Sequence, residues 1–139
     1  MIYCVFPGSF KDERLDALAA DFHQRLSRLW PVTLLEIPET DRAIQQIIEK
    51  AKSRGKMISL DAGGALMKGE ACASWVTGES KDLYCFVWGA SGPKKGWASR
   101  ADRSLSLSPM TTSHELARVF LLEQLYRAGA TLRGHPYVK

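Results

Sequence analysis

Ionisable side chains that could bind a polyanion or transfer a proton concentrate in the last third of the chain. Residues 94–139 carry eight Lys and Arg against three Asp and Glu, a balance of +5, whereas residues 1–93 sum to −1. A polyanion would dock on such a basic segment, although solvated Lys and Arg also simply maintain solubility. The segment also holds His114 and His135, whose imidazoles either exchange protons near neutral pH or serve as ordinary polar groups.

Three loops are candidates for one ligand site. Gly89-Ala90-Ser91-Gly92-Pro93 follows the most apolar run of the sequence, and its glycines either admit a ligand close to the backbone or simply reverse the chain. Leu60-Asp61 and Leu107-Ser108 also stand at the ends of apolar runs. Because ligands of parallel sheets lie beyond the carboxyl ends of the strands, the three loops are predicted to share one site.

Several common chemistries lack their motifs in this sequence. Neither G-x-G-x-x-G nor G-x-x-x-x-G-K-[ST] is present, which disfavours dinucleotide and nucleoside triphosphate enzymes, and the G-x-S-x-G of serine hydrolases is missing. No ligands cluster with metal-binding spacing, so no metal is predicted. Cys4, Cys72 and Cys85 form no C-x-x-C and sit among apolar neighbours, which favours buried thiols.

Alternating strand and helix patterns supply the elements that must position these loops. Runs typical of strands occur at residues 2–6, 32–37, 57–60, 83–88 and 104–107. Helical patterns lie at residues 12–30, 41–54 with Asp41 as cap, 71–76, and 112–128 with Thr112 and Glu115 as a capping box. This alternation predicts an α/β fold, a parallel sheet with helices on both faces.

The length and hydropathy bound the class of protein. The 139 residues are predicted to form one domain spanning 1–139, long enough to bury a core without disulfides. No apolar stretch approaches the roughly 20 residues of a membrane helix, and the first residues do not show the basic start and long apolar region typical of a signal sequence. A cytoplasmic protein without membrane contact is the expectation.

Five segments of the C-terminal half carry a family resemblance, together with Ile-Ser-Leu-Asp at 58–61. The five are Val-Trp-Gly-Ala-Ser-Gly at 87–92, Leu-Ser-Leu-Ser-Pro-Met-Thr at 105–111, Ser-His-Glu-Leu-Ala-Arg-Val at 113–119, Leu-Glu-Gln-Leu-Tyr-Arg-Ala at 122–128 and Gly-His-Pro-Tyr at 134–137. In this order they resemble the large-subunit ribosomal RNA methyltransferase H family of the SPOUT superfamily. The likeness extends from the first strand to the last residue, and the segment at 122–128 and its spacing to Tyr137 are its most specific parts.

The resemblance implies a fold, a reaction and partners. The fold is an α/β knot, in which the C-terminal part of the sheet forms a trefoil knot, and a homodimer completes the site. The implied reaction transfers a methyl group from S-adenosylmethionine to N3 of a pseudouridine in large-subunit (23S) ribosomal RNA. The RNA partner is then the large subunit or the assembled ribosome.

The resemblance also assigns residues. The cofactor-binding residues it implies are Leu60, Gly89, Leu105, Ser106, Leu107, Ser108, Pro109 and Met110. The catalytic candidates, a His to accept the N3 proton and groups to steady the base, are His114, Arg118, His135 and Tyr137. The substrate-binding candidates, which would stack on a base or hold phosphate, are Tyr126, Arg127 and Arg133.

Two departures from the family pattern leave alternatives open. Trp88 stands where the family usually has the first of two glycines, and its ring is expected to reshape the edge of the pocket. The chain ends Tyr137-Val138-Lys139, where the family usually ends in Tyr-His and a basic residue. The alternatives are a SPOUT enzyme acting on another RNA nucleotide, a non-catalytic RNA-binding relative, or a nucleotide-binding α/β module unrelated to RNA.

Overall fold

A five-stranded parallel sheet forms the centre of the molecule. The computed structural model describes residues 1–66, 78, 80–108 and 110–134. The strands are β1 (Ile2–Pro7), β2 (Val32–Ile37), β3 (Gly55–Leu66), β4 (Asp82–Val87) and β5 (Arg103–Ser106), in the spatial order β2-β1-β4-β3-β5. All four pairings are parallel, so every strand presents its carboxyl end at the same edge of the sheet.

Helices cover both faces of this sheet, which confirms the predicted α/β class. The helices are α1 (Glu13–Leu26), α2 (Asp41–Arg54) and α3 (His114–Leu132), with a short 3-10 turn at Ala98–Arg100. One apolar core joins α1 and α3 to the sheet, and a second joins α2 and Trp97 to the opposite face. The trefoil knot stays a prediction.

The first turns of two helices differ from the sequence-based prediction. Thr40, not Asp41, caps α2, because its Oγ1 accepts the Ala43 N–H at 3.2 Å. Ser113, not Thr112, caps α3, because its Oγ accepts the Leu116 N–H at 3.2 Å. In both helices the capping hydroxyl accepts the main-chain N–H of the residue three positions later. The cap of α2 therefore lies one residue before the predicted cap, and the cap of α3 lies one residue after it.

The last strands and helix also differ in extent. β3 continues past Leu60, and both Leu60 and Ala65 face Leu105, so residues 61–64 bulge out of the ladder instead of ending the strand. β5 begins and ends one residue earlier than predicted, and α3 continues to Leu132. The predicted helix at 71–76 lies outside the described residues.

The cysteines agree with the prediction where the structure describes them. Cys4 and Cys85 are buried thiols on neighbouring strands, where they stand opposite each other in register. Burial, and then the neighbouring Cys85, raises the pKa of the Cys4 thiol well above its usual value. Cys72 lies outside the described residues.

Candidate active site

A cleft of about 680 Å³ opens at the carboxyl edge of the sheet. The three segments predicted to share a site meet there: the bulge within β3 and the loops that follow β4 and β5. The first two turns of α3 form the remaining wall. The lining residues are Leu60, Asp61, Ala62, Val87, Trp88, Gly89, Ala90, Gly92, Pro93, Leu107, Ser108, Met110, Thr111, Thr112, Ser113, His114, Leu116, Ala117 and Phe120.

The lining of the cleft suits a flat organic ligand with polar edges. Its volume falls within the range of about 300–1,000 Å³ typical of small-molecule sites. Leu60, Leu107, Met110 and Phe120 offer apolar contact for a ring, whereas the loops bring main-chain N–H and C=O groups to its rim. These residues fit the adenosyl group of S-adenosylmethionine.

The backbone at Gly89 lies against the carboxylate of Glu39, a residue that the sequence analysis did not single out. A Cβ at Gly89 would overlap Glu39 Oε1, and a Cβ at Gly8 would stand 3.1 Å from Glu39 Oε2. Glu39 follows β2, whereas Gly8 follows β1 and Gly89 follows β4. No local pattern marks Glu39, because only the sheet order brings these three strand ends together.

Trp88 is one of the residues that line the cleft, but its side chain is largely buried in the core. Its ring packs in the core on the α2 face, stacked between Phe86 at 5.1 Å and Trp97 at 6.1 Å. Its indole N–H donates to the buried Ser59 Oγ at 2.7 Å. The bulky residue is accommodated because alternate strand residues point to opposite faces, and Trp88 points away from α3.

The cofactor segment predicted at 105–110 divides into two parts. Leu105 and Ser106 are buried behind the wall of the cleft, Leu105 in the core beneath α1 and α3. The Ser106 hydroxyl donates to the Ser108 carbonyl at 2.7 Å, and Ser108 Oγ accepts the Met110 N–H at 3.1 Å. These bonds turn the chain so that Leu107, Ser108 and Met110 reach the cleft, while Pro109 lies outside the described residues.

The catalytic candidates separate in the structure. His114, the first residue of α3, lines the cleft. Arg118 is fully buried, and its guanidinium donates to the carbonyls of Pro7 and Gly8, so the predicted direct contact with substrate is corrected to a buried contact with the backbone. His135 and Tyr137 lie outside the described residues.

The substrate-binding candidates lie towards the other end of α3. Tyr126 is buried against Phe22, and Arg127 donates to Glu123 Oε1 at 2.6 Å. Arg133 donates to the Leu29 carbonyl at 3.0 Å. At 1.5 Å per residue, about 20 Å of helix separates Arg127 from His114, and the cleft of the same copy does not include these three side chains.

Three basic residues of the last third form ion pairs with carboxylates. Lys94 and Arg100 pair with the acidic Asp41 and Glu49 of α2, and Arg127 pairs within its own helix. The uneven charge along the sequence is therefore partly neutralised by carboxylates from the first half of the chain. The polyanion surface stays a prediction.

The part of the chain that the structure describes contains no group of three or more His, Cys, Asp or Glu side chains placed to hold a metal. Among the same residues, no helix has the length and apolar character needed to cross a membrane.

Comparison with known proteins agrees with this geometry. The family described as "Predicted SPOUT methyltransferase" matches residues 1–137. Ribosomal RNA large subunit methyltransferase H of Solibacter usitatus is 38% identical over 141 residues, covering 99% of both chains. The protein of the same name from Coprothermobacter proteolyticus is 33% identical over 142 residues, also covering 99% of both chains.

Solved structures share the fold at low sequence identity. A probable methylase family protein from Haemophilus influenzae superposes with a TM-score of 0.65 at 12% identity, over 99% of this chain and 70% of its own. The SpoU methyltransferase AviRb from Streptomyces viridochromogenes, solved with its cofactor AdoMet, gives 0.50 at 9% identity, over 91% and 57%. The predicted cofactor, S-adenosylmethionine, is the one that SPOUT methyltransferases use. The chain therefore belongs to the SPOUT methyltransferases, in the family of the ribosomal RNA large subunit methyltransferases H.

Proposed function

We propose that this protein methylates N3 of a pseudouridine in large-subunit ribosomal RNA, working in the cytoplasm on the large subunit or the assembled ribosome. The observation that carries the proposal is the cleft itself. Leu60 precedes the bulge of β3, whereas Gly89 and Leu107 follow β4 and β5, and all three line one cavity. All three also belong to the segments that carry the methyltransferase H resemblance. The substrate named for the relatives gives the RNA class.

In such a reaction the protein's residues need only orient the two reactants and accept one proton. When bound, S-adenosylmethionine supplies an electrophilic methyl group on a sulfonium centre. The apolar side chains of Leu60, Leu107 and Met110 exclude water and hold the ligand ring, so that the acceptor nitrogen can approach in line. N3 must lose its proton, and His114 is the imidazole that lines the cleft and can accept it.

A homodimer is part of the proposal. Leu116 and Phe120 are among the exposed large apolar residues of the structure, and both stand on the first half of α3. Arg127 lies about 20 Å along the helix from the His114 end, so a second copy is needed if it is to meet a substrate at this cleft, whereas Tyr126 is buried against Phe22. A dimer that packs through this part of α3 would cover the exposed apolar side chains and bring the partner's residues to the cleft.

The test is transfer of labelled methyl from S-adenosylmethionine to ribosomes that lack the modification, followed by mass mapping of the modified nucleotide. We expect one methyl group on N3 of a pseudouridine of the large-subunit RNA, and at least a tenfold slower transfer by His114→Asn. Free large subunits and assembled ribosomes are assayed in parallel to identify the substrate particle.

Other outcomes favour the alternatives. A methyl group on a different nucleotide would identify another SPOUT RNA methyltransferase. Cofactor binding without transfer to either particle would identify a non-catalytic RNA-binding relative, consistent with Val138 replacing the usual terminal histidine.

A further inference from the structure

Arg118 is a buried cation held by aromatic rings and main-chain oxygens. Its side chain is 0% exposed. The guanidinium carbon lies 4.9 Å from the ring centroids of both Phe6 and Phe10, which contact each other edge to face. Its Nη2 donates to the Pro7 carbonyl at 2.7 Å and to the Gly8 carbonyl at 3.1 Å. The residue thus ties α3 to the end of β1.

Glu115 makes a second connection to the same segment. Its Oε1 accepts the Lys11 N–H at 2.8 Å and the Asp12 N–H at 3.1 Å. Those main-chain bonds, the Asp12 N–H first, lower the pKa of Glu115 despite some opposing desolvation. Arg118 and Glu115 are three positions apart and share a face of α3. We call the segment they hold, residues 7–12, the β1–α1 turn.

A contact that only stabilises the packing of α3 against the β1–α1 turn does not need a buried cation. Burial lowers the pKa of Arg118, opposed by the nearby carboxylates of Glu36, Glu115 and Glu39. Within the described part of the chain, its Nε and Nη1 have no hydrogen-bond acceptor. Buried ion groups are often replaced by apolar residues without loss of stability, so the charge points to a role beyond stability.

The β1–α1 turn flanks the cleft. The Gly8 N–H donates to the Ile37 carbonyl at 2.8 Å, and Gly8 has a φ of +86°, a conformation that glycine adopts without strain. The Glu39 carboxylate fills the space between Gly8 and Gly89, which lines the cleft. On α3, His114 and Ala117 face the cleft, while their neighbours Glu115 and Arg118 hold the turn.

We propose that Arg118 is a positioning residue that, with Glu115, fixes the β1–α1 turn as the wall against which the acceptor nucleotide lies. The inference rests on the proposed function, because it places the RNA nucleotide beside the cofactor cleft. Ser9 and Lys11 are exposed on this turn and offer a hydroxyl and an ammonium group to the nucleotide's sugar and phosphate. Arg118 acts through the Pro7 and Gly8 carbonyls and does not touch the substrate.

The variants Arg118→Met and Arg118→Lys test this role. Met fills similar volume without charge or donors, whereas Lys keeps the charge and a donor for the carbonyls. We expect Arg118→Met to lower kcat for methyl transfer at least 30-fold, with a change of less than threefold in the Kd of S-adenosylmethionine. Arg118→Lys should recover at least tenfold of that loss.

Amide hydrogen exchange gives a readout that does not depend on transfer. In Arg118→Met, and in Glu115→Gln should Arg118→Met fail to fold, the Lys11 and Asp12 amides should exchange at least tenfold faster. Ile48→Ala, which opens the fully buried core on the α2 face, serves as the control for lost stability and should leave those two amides protected.

Two results would overturn the positioning role. One is unchanged amide exchange at Lys11 and Asp12 in Arg118→Met or Glu115→Gln. The other is a loss of kcat in Ile48→Ala equal to that in Arg118→Met, measured at a temperature where both variants are folded. A wild-type protein that binds cofactor but methylates no RNA would instead reject the proposed function, and the exchange measurement would still decide whether Arg118 holds the turn.

Discussion

Gly89 is the residue at which a single added methyl group should separate ligand binding from folding. Its Cβ would enter space held by the Glu39 carboxylate, at the end of a flexible and exposed side chain that can rotate away. We therefore expect Gly89→Ala to change the free energy of unfolding by less than about 1 kcal/mol. Because Gly89 itself lines the cleft, we expect titration calorimetry to give at least a tenfold higher Kd for S-adenosylmethionine.

The double variant Gly89→Ala with Glu39→Ala is the control for this prediction. Removing the Glu39 carboxylate relieves its overlap with the new Cβ but keeps the added methyl group on the residue that lines the cleft. If the double variant regains normal cofactor affinity, Gly89 serves only to accommodate Glu39.

The hydrogen bond between Trp88 and Ser59 should couple the ends of β4 and β3. The indole N–H donates at 2.7 Å to a hydroxyl that is itself fully buried, so Trp88→Phe leaves Ser59 without this donor. We expect Trp88→Phe to destabilise the protein by about 1–2 kcal/mol in urea unfolding. Ser59→Ala should cost about 1 kcal/mol, and the double variant should cost less than the sum of both. Additive losses would show that no coupling exists.

Sequence reasoning found residues of the cleft wherever a local pattern marked them. Leu60, Gly89 and Leu107 each close an apolar run or follow one, and that pattern was enough to predict that they share one site, although Leu60 lies within β3. Arg118 was taken for a group that meets the substrate, because its type suits phosphate and its burial depends on Phe6 and Phe10, over 100 positions earlier. Such long-range contacts leave no local signal.

At the scale of elements, Asp102 attaches the edge strand β5 to β3. Its carboxylate accepts the Met57 N–H at 2.7 Å and Lys52 Nζ at 2.9 Å, and its own N–H donates to the Met57 carbonyl. Burial acts to raise the pKa of Asp102, but the Lys52 and Met57 hydrogen bonds outweigh it, so the pKa is lowered. The folded protein therefore favours the ionised carboxylate.

That direction sets the expected pH dependence. The unfolded pKa of Asp is about 3.9, so the stabilisation from Asp102 is complete above that value and is lost as the pH falls through the lower folded pKa. Asp102→Asn should cost about 1 kcal/mol at pH 7, because the carboxylate is 35% exposed and solvent weakens its ion pair. Urea unfolding between pH 2 and 7 should show the difference from wild type shrinking below pH 4.

Asp21→Asn is the matched control for Asp102→Asn. Asp21 forms a solvent-exposed pair with Arg25 on α1, and such pairs contribute little. A difference that persists unchanged at pH 2 would show that Asp102 acts through packing and not through its charge.

The periodicity of the sequence predicted which elements form, but not where every residue of an element points. The apolar residues of α3 do not share one environment, since Val119 and Leu125 are buried in the core while Leu116 and Phe120 line the cleft. Periodicity records that a residue is apolar and not which surface covers it. The sequence similarly predicts a loop after Leu60, because nothing local indicates that the chain pairs with Leu105 again at Ala65.

At the scale of the whole molecule, charge along the chain and charge in space are different quantities. The last third of the sequence is basic, but the fold places Lys94 and Arg100 against Asp41 and Glu49 of α2. No residue pattern indicates such pairs, since they form only after α2 packs beside the segment that follows β4. The family resemblance, which rests on motifs and not on net charge, proved the better guide.

The exposed apolar residues of α3 give the prediction that belongs to the assembled protein. Phe120 is 36% exposed on α3 and Leu18 is 42% exposed on α1, so both present a similar apolar surface in one copy. If α3 forms the dimer interface, a charge at Phe120 must be buried without a partner on association, whereas one at Leu18 stays in water. We expect Phe120→Glu to raise the dimer dissociation constant in sedimentation equilibrium at least 100-fold, and Leu18→Glu to leave it unchanged. Because Phe120 also lines the cleft, the Kd of S-adenosylmethionine is measured in the same samples across a range of protein concentrations. A dimer that persists in Phe120→Glu would place the interface elsewhere, and Arg127 would then need another route to the substrate.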